Sequence, residues 1–280
     1  MSAPPREPSA AAPEGAAATP DGSDLTTRSA VAARGSLHAP TARSWRALLE
    51  PVLIVAIGAG WMVYVRNTHL DSIAARVLTL DYVTRKTWEH VELTVVATLI
   101  VLVIAIPLGV LLSRSFARPA TPFVLAVANI GQSAPAIGVV VLLAVIFGIG
   151  FWTAIVALVA YGVLPALRNT MVGLQQVDPT LTDAGRGIGM SATRVLTRVE
   201  LPLATPVILA GIRTTLVLMV GTASIASFIS GGGLGDLVTT GVSTQRTPVL
   251  LTGCILIALL ALLVDWVGGM AARYLAPKGL

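Results

Sequence analysis

The chain has 280 residues, of which 55% are hydrophobic and 12% are charged, and its mean hydropathy is +0.82. This composition excludes a water-soluble globule, because a soluble core cannot hide so much apolar surface. The single cysteine, Cys254, excludes an intrachain disulfide framework and a cysteine metal site. The formal net charge of +5 does not indicate nucleic-acid binding, because most basic residues flank apolar runs.

The first 46 residues differ in composition from the rest of the chain. They are rich in Ala, Pro and Ser and contain five scattered arginines. Such a segment cannot offset the conformational entropy lost on folding, so we expect residues 1–46 to form a disordered cytoplasmic tail. The stretch is too long and lacks an apolar core before residue 47, so it does not read as a cleavable signal peptide.

The remainder contains apolar runs near the length of about 20 residues that a helix needs to cross a bilayer. The six runs cover residues 47–65, 92–112, 122–147, 151–167, 204–229 and 248–271. They predict an all-α fold, a polytopic membrane helical bundle with about six transmembrane helices. Residues 67–91 are then a connector and residues 272–280 a C-terminal segment.

The third run is the least regular, because Gln132, Ser133 and Pro135 interrupt it. Non-helical backbone at membrane depth is tolerated only against protein or a water-filled cavity. One interpretation therefore places these residues on a translocation path inside the bundle. The other is a proline kink, and the sequence leaves both open.

The distribution of Lys and Arg predicts how the chain crosses the membrane. Thirteen lie in the tail, in residues 113–121, in the loop 168–203 and at the C-terminus, whereas five lie in the connections on the other side. Because cytoplasmic loops carry the excess of positive charge, both termini and the loop 168–203 are placed in the cytoplasm. Residues 67–91 are accordingly extracytoplasmic.

The loop 168–203 carries more signals of order than a connecting segment needs. Asp178 and Pro179 suit the cap and the first position of a helix. Gly187 and Gly189 permit a sharp turn, and Ser191 suits the cap of a second short helix. The loop is therefore predicted to contain two short helices around a glycine turn.

Part of this loop resembles the cytoplasmic signature of the inner-membrane permeases of ABC importers. That signature reads Glu-Ala-Ala, three residues, Gly, nine residues, Ile, one residue, Leu-Pro. At the same spacing this chain has Asp183, Ala184, Gly185, Gly189, Val199, Leu201 and Pro202. The spacing is complete, and the replacements are Asp for Glu, Gly for the second Ala and Val for Ile.

The resemblance implies that the loop is a coupling helix, seated in a groove of a separate ATP-binding subunit. The implied ATPase-coupling residues are Asp183, Ala184, Gly185, Gly189, Leu201 and Pro202. The small Ala184 would allow close approach, and the Asp183 carboxylate could reach donors of the partner. Gly185 departs from the pattern and is expected to loosen the helix by about 1 kcal/mol relative to Ala.

Within these permeases the sequence resembles the subfamily that imports osmoprotectants such as glycine betaine, choline, carnitine or proline. The resemblance runs from about Trp88 to Leu280. It includes Gly231-Gly232-Gly233-Leu234-Gly235-Asp236, among other elements. Methionine-importer permeases share the Leu-Pro and glycine-rich elements and are the alternative on substrate. The subfamily's five-helix core corresponds to residues 92–271, so residues 47–66 are an additional N-terminal transmembrane helix.

The resemblance also implies an assembly in the bacterial inner membrane. Its parts are a second permease subunit, identical or paralogous, an ATP-binding subunit and an extracytoplasmic solute-binding protein. A quaternary ammonium is ordinarily held by aromatic ring faces, but only 5% of the residues are aromatic. Selectivity is therefore expected on the binding protein. No cofactor and no nucleic-acid partner is expected.

The sequence does not indicate an enzyme. A phosphate-binding loop needs a lysine that follows a glycine, and neither Lys86 nor Lys278 does so. The three histidines, His38, His69 and His90, show no metal-ligand spacing and are expected at the surface or the membrane interface.

An intramembrane aspartyl protease is the alternative from another class. Gly233-Leu234-Gly235-Asp236 matches the short signature of these proteases. Their chemistry needs a second carboxylate that faces the first, so that one can hold a proton. The usual Tyr-Asp partner on an earlier apolar helix is missing, and Asp265 could supply the pair only by accident.

Arg213 lies inside the fifth apolar run. An arginine near a helix centre costs roughly 2.5 to 3.5 kcal/mol on insertion scales, so this side chain is expected to face protein, water or a partner subunit. We consider it a candidate for the translocation path with Gln132, Ser133 and Pro135. A role in helix packing is an equal alternative.

Overall fold

The computed structural model describes residues 44–275, and all regular structure in this range is helical. In chain order the helices are α1 (Ser44–Asn67), α2 (Ser72–Val77), α3 (Leu80–Leu112), α4 (Thr121–Ser133), α5 (Ala136–Phe147), α6 (Phe151–Gln175), α7 (Pro179–Gly187), α8 (Ala192–Val195), α9 (Leu201–Ala223), α10 (Gly235–Ser243) and α11 (Thr247–Leu275). Two 3-10 helical turns occupy Ser115–Ala120 and Ser224–Ile229, and a π-helical turn occupies Leu196–Glu200. The expected tail up to residue 43, His38 and residues 276–280 lie outside the described range.

Five stretches between residues 44 and 275 are long and apolar enough to cross a membrane. They lie in α1, α3, α6 and α11 and in the helical stretch Ala192–Ile229 that contains α9. Helices α4 and α5 pass the same test together and are bent by 98° at the break between them. The all-α membrane bundle is confirmed, and the irregular third run consists of two helices rather than one kinked helix.

Several helices extend beyond the apolar runs that predicted them. Helix α3 begins at Leu80 rather than near residue 92, because the Thr79 hydroxyl caps it by accepting the Tyr82 N–H at 3.3 Å. The connector 67–91 is thus largely helical, in α2 and the first turns of α3. Helix α6 likewise continues to Gln175, inside the loop predicted for 168–203. Hydropathy marks the part of a helix inside the bilayer, whereas capping sets its ends.

The interior is built around α3, α6 and α9. Buried apolar residues recur every four positions along α3, which places them on one face of the helix. They are Leu93, Ala97, Val101 and Ala105. Close helix approach depends on glycines, as in other membrane bundles. A Cβ atom added at Gly109 of α3 would lie 2.7 Å from Thr170 Cβ on α6, and one added at Gly211 of α9 would lie 2.3 Å from Asn169 Cβ on α6.

Helix α1 lies along α11. The Trp61 indole N–H donates to the Thr252 hydroxyl at 3.0 Å, and Gly58 faces Leu259. Most other side chains of α1 are exposed, although Val65 is buried. A helix with so little buried surface is an addition to the bundle rather than part of its interior.

Candidate coupling element and its connections

Helix α7 begins with the predicted cap. The Asp178 carboxylate accepts the backbone N–H of Thr180 at 2.9 Å and also the Thr180 hydroxyl, and Pro179 takes the first helical position. Both hydrogen bonds favour the ionised carboxylate, the hydroxyl more than the amide, and they lower the pKa of Asp178. The cap is thus present above the usual aspartate range and weakens as the pH falls through the lowered pKa.

The glycine turn at the end of α7 has the geometry of a Schellman motif. The Gly189 N–H donates to the Arg186 carbonyl at 2.9 Å, and the Met190 N–H donates to the Gly185 carbonyl at 3.1 Å. Gly189 has a φ of +86°, a conformation that residues with a Cβ rarely adopt. Ser191 then caps α8 by accepting the Arg194 N–H at 3.4 Å. The two short helices around a glycine turn are confirmed.

The signature residues of α7 point in two directions. Asp183 and Ala184 are exposed, whereas Gly185 is buried against Val195 of the second helix. Two residues that sequence reasoning missed, Leu181 and Ile188, are also exposed, at 48% and 77%. Their spacing of three and four residues from Ala184 was the available signal, since it places all three on one helical face. The helix therefore presents a small apolar surface with a carboxylate at its edge.

The Leu-Pro pair, Leu201 and Pro202, widens the helical turn that precedes it. Pro202 has no N–H, so the Arg198 carbonyl cannot receive its usual helical donor. Instead, the Leu201 N–H donates to the Leu196 carbonyl, five residues back, which gives the π-helical turn Leu196–Glu200. This turn joins the two short helices to α9, with Leu201 and Pro202 half-buried at the junction.

Glu200 connects this junction to α3. Both of its carboxylate oxygens accept from the guanidinium of Arg114, Oε1 from Nη1 at 3.2 Å and Oε2 from Nη2. The Arg114 Nε also donates to the Val110 carbonyl in the last turns of α3, at 3.3 Å. Sequence reasoning missed this pair, because 86 positions separate its members. The available signal was that both residues lie near helix ends that the distribution of Lys and Arg predicts to be cytoplasmic.

His90 lies in the N-terminal part of α3, away from Arg114, and is fully buried. The prediction that it lies at the surface or the membrane interface is therefore wrong. Its Nε2–H donates to the Val220 carbonyl of α9 at 2.9 Å, and Nδ1 accepts the Leu234 N–H at 3.3 Å. The two backbone partners fix a neutral tautomer and satisfy the ring, which is why it can be buried. Its place three residues before the buried Leu93 was the signal.

The glycine-rich segment, residues 231–236, contacts α3 near His90. Gly232 and Gly233 have positive φ angles, and the Gly233 N–H donates to a Glu89 carboxylate oxygen at 3.1 Å. Lys86 forms ion pairs with Glu89 at 2.7 Å and with Asp236 at 2.6 Å. Sequence reasoning singled out the glycine motif but not the charged residues that hold it.

The two carboxylates considered for a protease are engaged by different cations. Asp236 is paired with Lys86, whereas Asp265 on α11 is paired with Arg213 on α9 through both of its oxygens. The two carboxylates therefore belong to separate ion pairs. Among residues 44–275 there is also no cluster of three or more His, Cys, Asp or Glu side chains that could hold a metal.

The break between α4 and α5 contains the other path candidates. Gln132 and Ser133 end α4, and Pro135 immediately precedes α5. The Tyr161 hydroxyl of α6 donates to the Ala134 carbonyl at 2.6 Å and satisfies a backbone group freed by the break. Arg213 is held elsewhere, by Asp265.

The sequence is similar to known transport proteins over most of its length. Residues 105–278 match the family described as binding-protein-dependent transport system inner membrane component. The choline transport system permease protein OpuBB of Bacillus subtilis is 40% identical over 195 residues, which is 70% of this chain and 89% of that protein. The osmoprotectant import permease protein OsmW of Salmonella typhimurium is 38% identical over 216 residues, which is 75% of this chain and 100% of that protein.

The fold is similar to solved transporters. A chain of the MetNI methionine ABC transporter superposes with a TM-score of 0.62 and 27% identity, covering 70% of this chain and 96% of that chain. Residues 105–278, which match the family, contain both the short helices α7 and α8 and the glycine-rich residues 231–236. The chain therefore belongs to the family of binding-protein-dependent transport inner-membrane components, and it is a membrane-embedded permease of an ABC importer.

Proposed function

We propose that this permease takes part in the ATP-driven import of a small osmoprotectant such as glycine betaine, choline, carnitine or proline. The observation that carries the proposal is the 40% identity to a choline permease over 89% of that relative's length. Its partners are an ATP-binding subunit, an extracytoplasmic binding protein and a second permease subunit. The chain itself has no catalytic activity, because ATP is hydrolysed on the partner.

The face of α7 supports the coupling role. Ala184 offers no bulk, and the exposed Leu181 and Ile188 beside it supply apolar area for a groove of the ATP-binding subunit. The Asp183 carboxylate at the edge can accept hydrogen bonds from that subunit. The remaining coupling residues, Gly185, Gly189, Leu201 and Pro202, act within this chain: the glycines shape the turn, and Leu-Pro joins it to α9.

The solute path is assigned to the bent pair. Gln132, Ser133 and Pro135 lie where the backbone leaves the helix, which at membrane depth requires protein or water beside it. The ion pair with Asp265 favours the packing alternative for Arg213, since it joins α9 to α11. In this arrangement residues 92–271 are the transport core and residues 47–66 an added anchor.

Uptake by the reconstituted complex tests the proposal. The permease, purified with its ATP-binding subunit and second permease, is placed in proteoliposomes and supplied with the binding protein and radiolabelled solutes. We expect ATP-dependent uptake of glycine betaine, choline or carnitine. Methionine uptake would support the alternative within the family, and accumulation without ATP or without the binding protein would refute an ABC importer.

A further inference from the structure

The coupling element comprises residues 176–200, between α6 and α9. Besides its chain connections to these two helices, it is attached to α3 by the Arg114–Glu200 ion pair. The side chain of Glu200 is 9% exposed and that of Arg114 is 27% exposed. A bidentate guanidinium–carboxylate pair shielded in this way fixes both distance and orientation.

The ion pair lies where the C-terminal end of α3 meets the beginning of α9. Arg114 follows Ser113, the C-terminal cap of α3, and its Nε–H···O bond to Val110 ties the guanidinium to the last turns of that helix. Glu200 is the last residue before α9. The ion pair therefore joins α3 to α9 at the point where a displacement of the coupling element enters the bundle.

The same two helices are joined again farther along α3. His90 of α3 donates to the Val220 carbonyl of α9, and its other nitrogen holds Leu234 of the glycine-rich segment. His90 and Arg114 are 24 positions apart, or about 36 Å at the helical rise of 1.5 Å per residue. Helices α3 and α9 are thus connected at two well-separated points, which lie near the two ends of α9.

We propose that Arg114 and Glu200 are positioning residues for transport, and that their ion pair makes α3 move with α9 when the coupling element is displaced. The inference rests on the proposed function, since it requires ATP-driven displacement of that element. Without the pair, the displacement still reaches α9 directly, but it reaches α3 only through helix packing and the distant His90–Val220 hydrogen bond. Hydrolysis then continues while solute transfer falls.

The test measures solute uptake per ATP hydrolysed in the reconstituted complex. Arg114→Gln and Glu200→Gln are each expected to lower this ratio about tenfold, which is a typical fold-change for the loss of coupling between two sites. The double variant Arg114→Gln/Glu200→Gln leaves no unpaired charge and should be no worse than either single variant, because the pair acts as one unit. Arg114→Lys should restore part of the ratio.

Arg118 provides the matched control. It lies four residues from Arg114, is exposed and forms no ion pair with any residue between 44 and 275. Arg118→Gln should leave the ratio at the parent value. If the ion pair served stability alone, the variants would lower the amount of assembled complex while uptake per ATP stayed unchanged.

The outcomes separate this inference from the proposed function. An unchanged ratio in the double variant, or an equal loss in Arg118→Gln, would overturn the role of the pair while the parent complex still transports. A parent complex that shows no ATP-dependent uptake of any supplied solute would instead remove the proposed function and this inference with it.

Discussion

Three glycines near the end of α7 give opposite predictions for one substitution, alanine. Gly185 is buried, and an added Cβ would lie 3.4 Å from Val195 Cγ2 and 3.6 Å from Met190 Sδ, which is ordinary van der Waals contact. Gly187 has nothing within 4 Å of such a Cβ. Gly189 also has open space but a φ of +86°. Space and backbone conformation therefore separate the three positions.

The magnitudes follow from helix propensity and burial. Gly185→Ala stabilises α7 by about 0.8–1 kcal/mol through helix propensity and by up to about 0.8 kcal/mol through burial of one carbon, so by about 1–2 kcal/mol in all. Gly187→Ala, at the last helical position, gains less than about 1 kcal/mol and buries nothing. Gly189→Ala costs about 1–2 kcal/mol, because the alanine Cβ is strained in the left-handed region.

Hydrogen exchange of the amides in residues 180–188 measures this local stability in the purified complex. We expect exchange to slow about 5- to 30-fold in Gly185→Ala, to slow less in Gly187→Ala and to accelerate in Gly189→Ala. Faster exchange in Gly185→Ala would refute the packing described for this helix, because it would mean that no room exists between α7 and Val195. Unchanged or slower exchange in Gly189→Ala would refute the Schellman geometry, because a left-handed Gly189 cannot accept a Cβ without strain.

Three further predictions concern coupling, orientation and packing. Ala184→Trp should leave membrane insertion intact but abolish solute-stimulated ATP hydrolysis, because the bulky ring cannot enter the partner's groove; hydrolysis and uptake at the parent rate would make the loop a mere connector. The variant Ser191→Cys, with Cys254→Ser, should resist labelling by an impermeant thiol reagent in intact cells. Ready labelling would show that the predicted orientation is wrong. Gly211→Leu should lower the yield of folded permease severely, because its Cβ would lie 2.3 Å from Asn169 Cβ, and detergent-solubilised yield at the parent level would contradict this packing.

The local order of the coupling element followed from the sequence because its determinants are close in the chain. Asp178 and Ser191 cap the helices that begin beside them, and Gly189 adopts the left-handed turn that its missing side chain allows. Hydropathy located the five long apolar helices between residues 44 and 275 for a similar reason, since the bilayer acts on each segment separately. The family signature added the coupling role, which the face of α7 supports.

What the tertiary structure alone decided are the contacts between distant segments. In the sequence nothing links Arg114 to Glu200, and they form a pair only because α3 and the π-helical turn lie side by side. His90 can be buried because the backbone groups of Val220 and Leu234 satisfy both nitrogens of its ring. Hydropathy also did not predict the ends of the helices. Helix α3 starts at Leu80 because Thr79 caps it there, and not because its first residues are apolar. Patterns in sequence report on neighbours along the chain and on the solvent, whereas ion pairs and buried hydrogen bonds depend on which helices pack together.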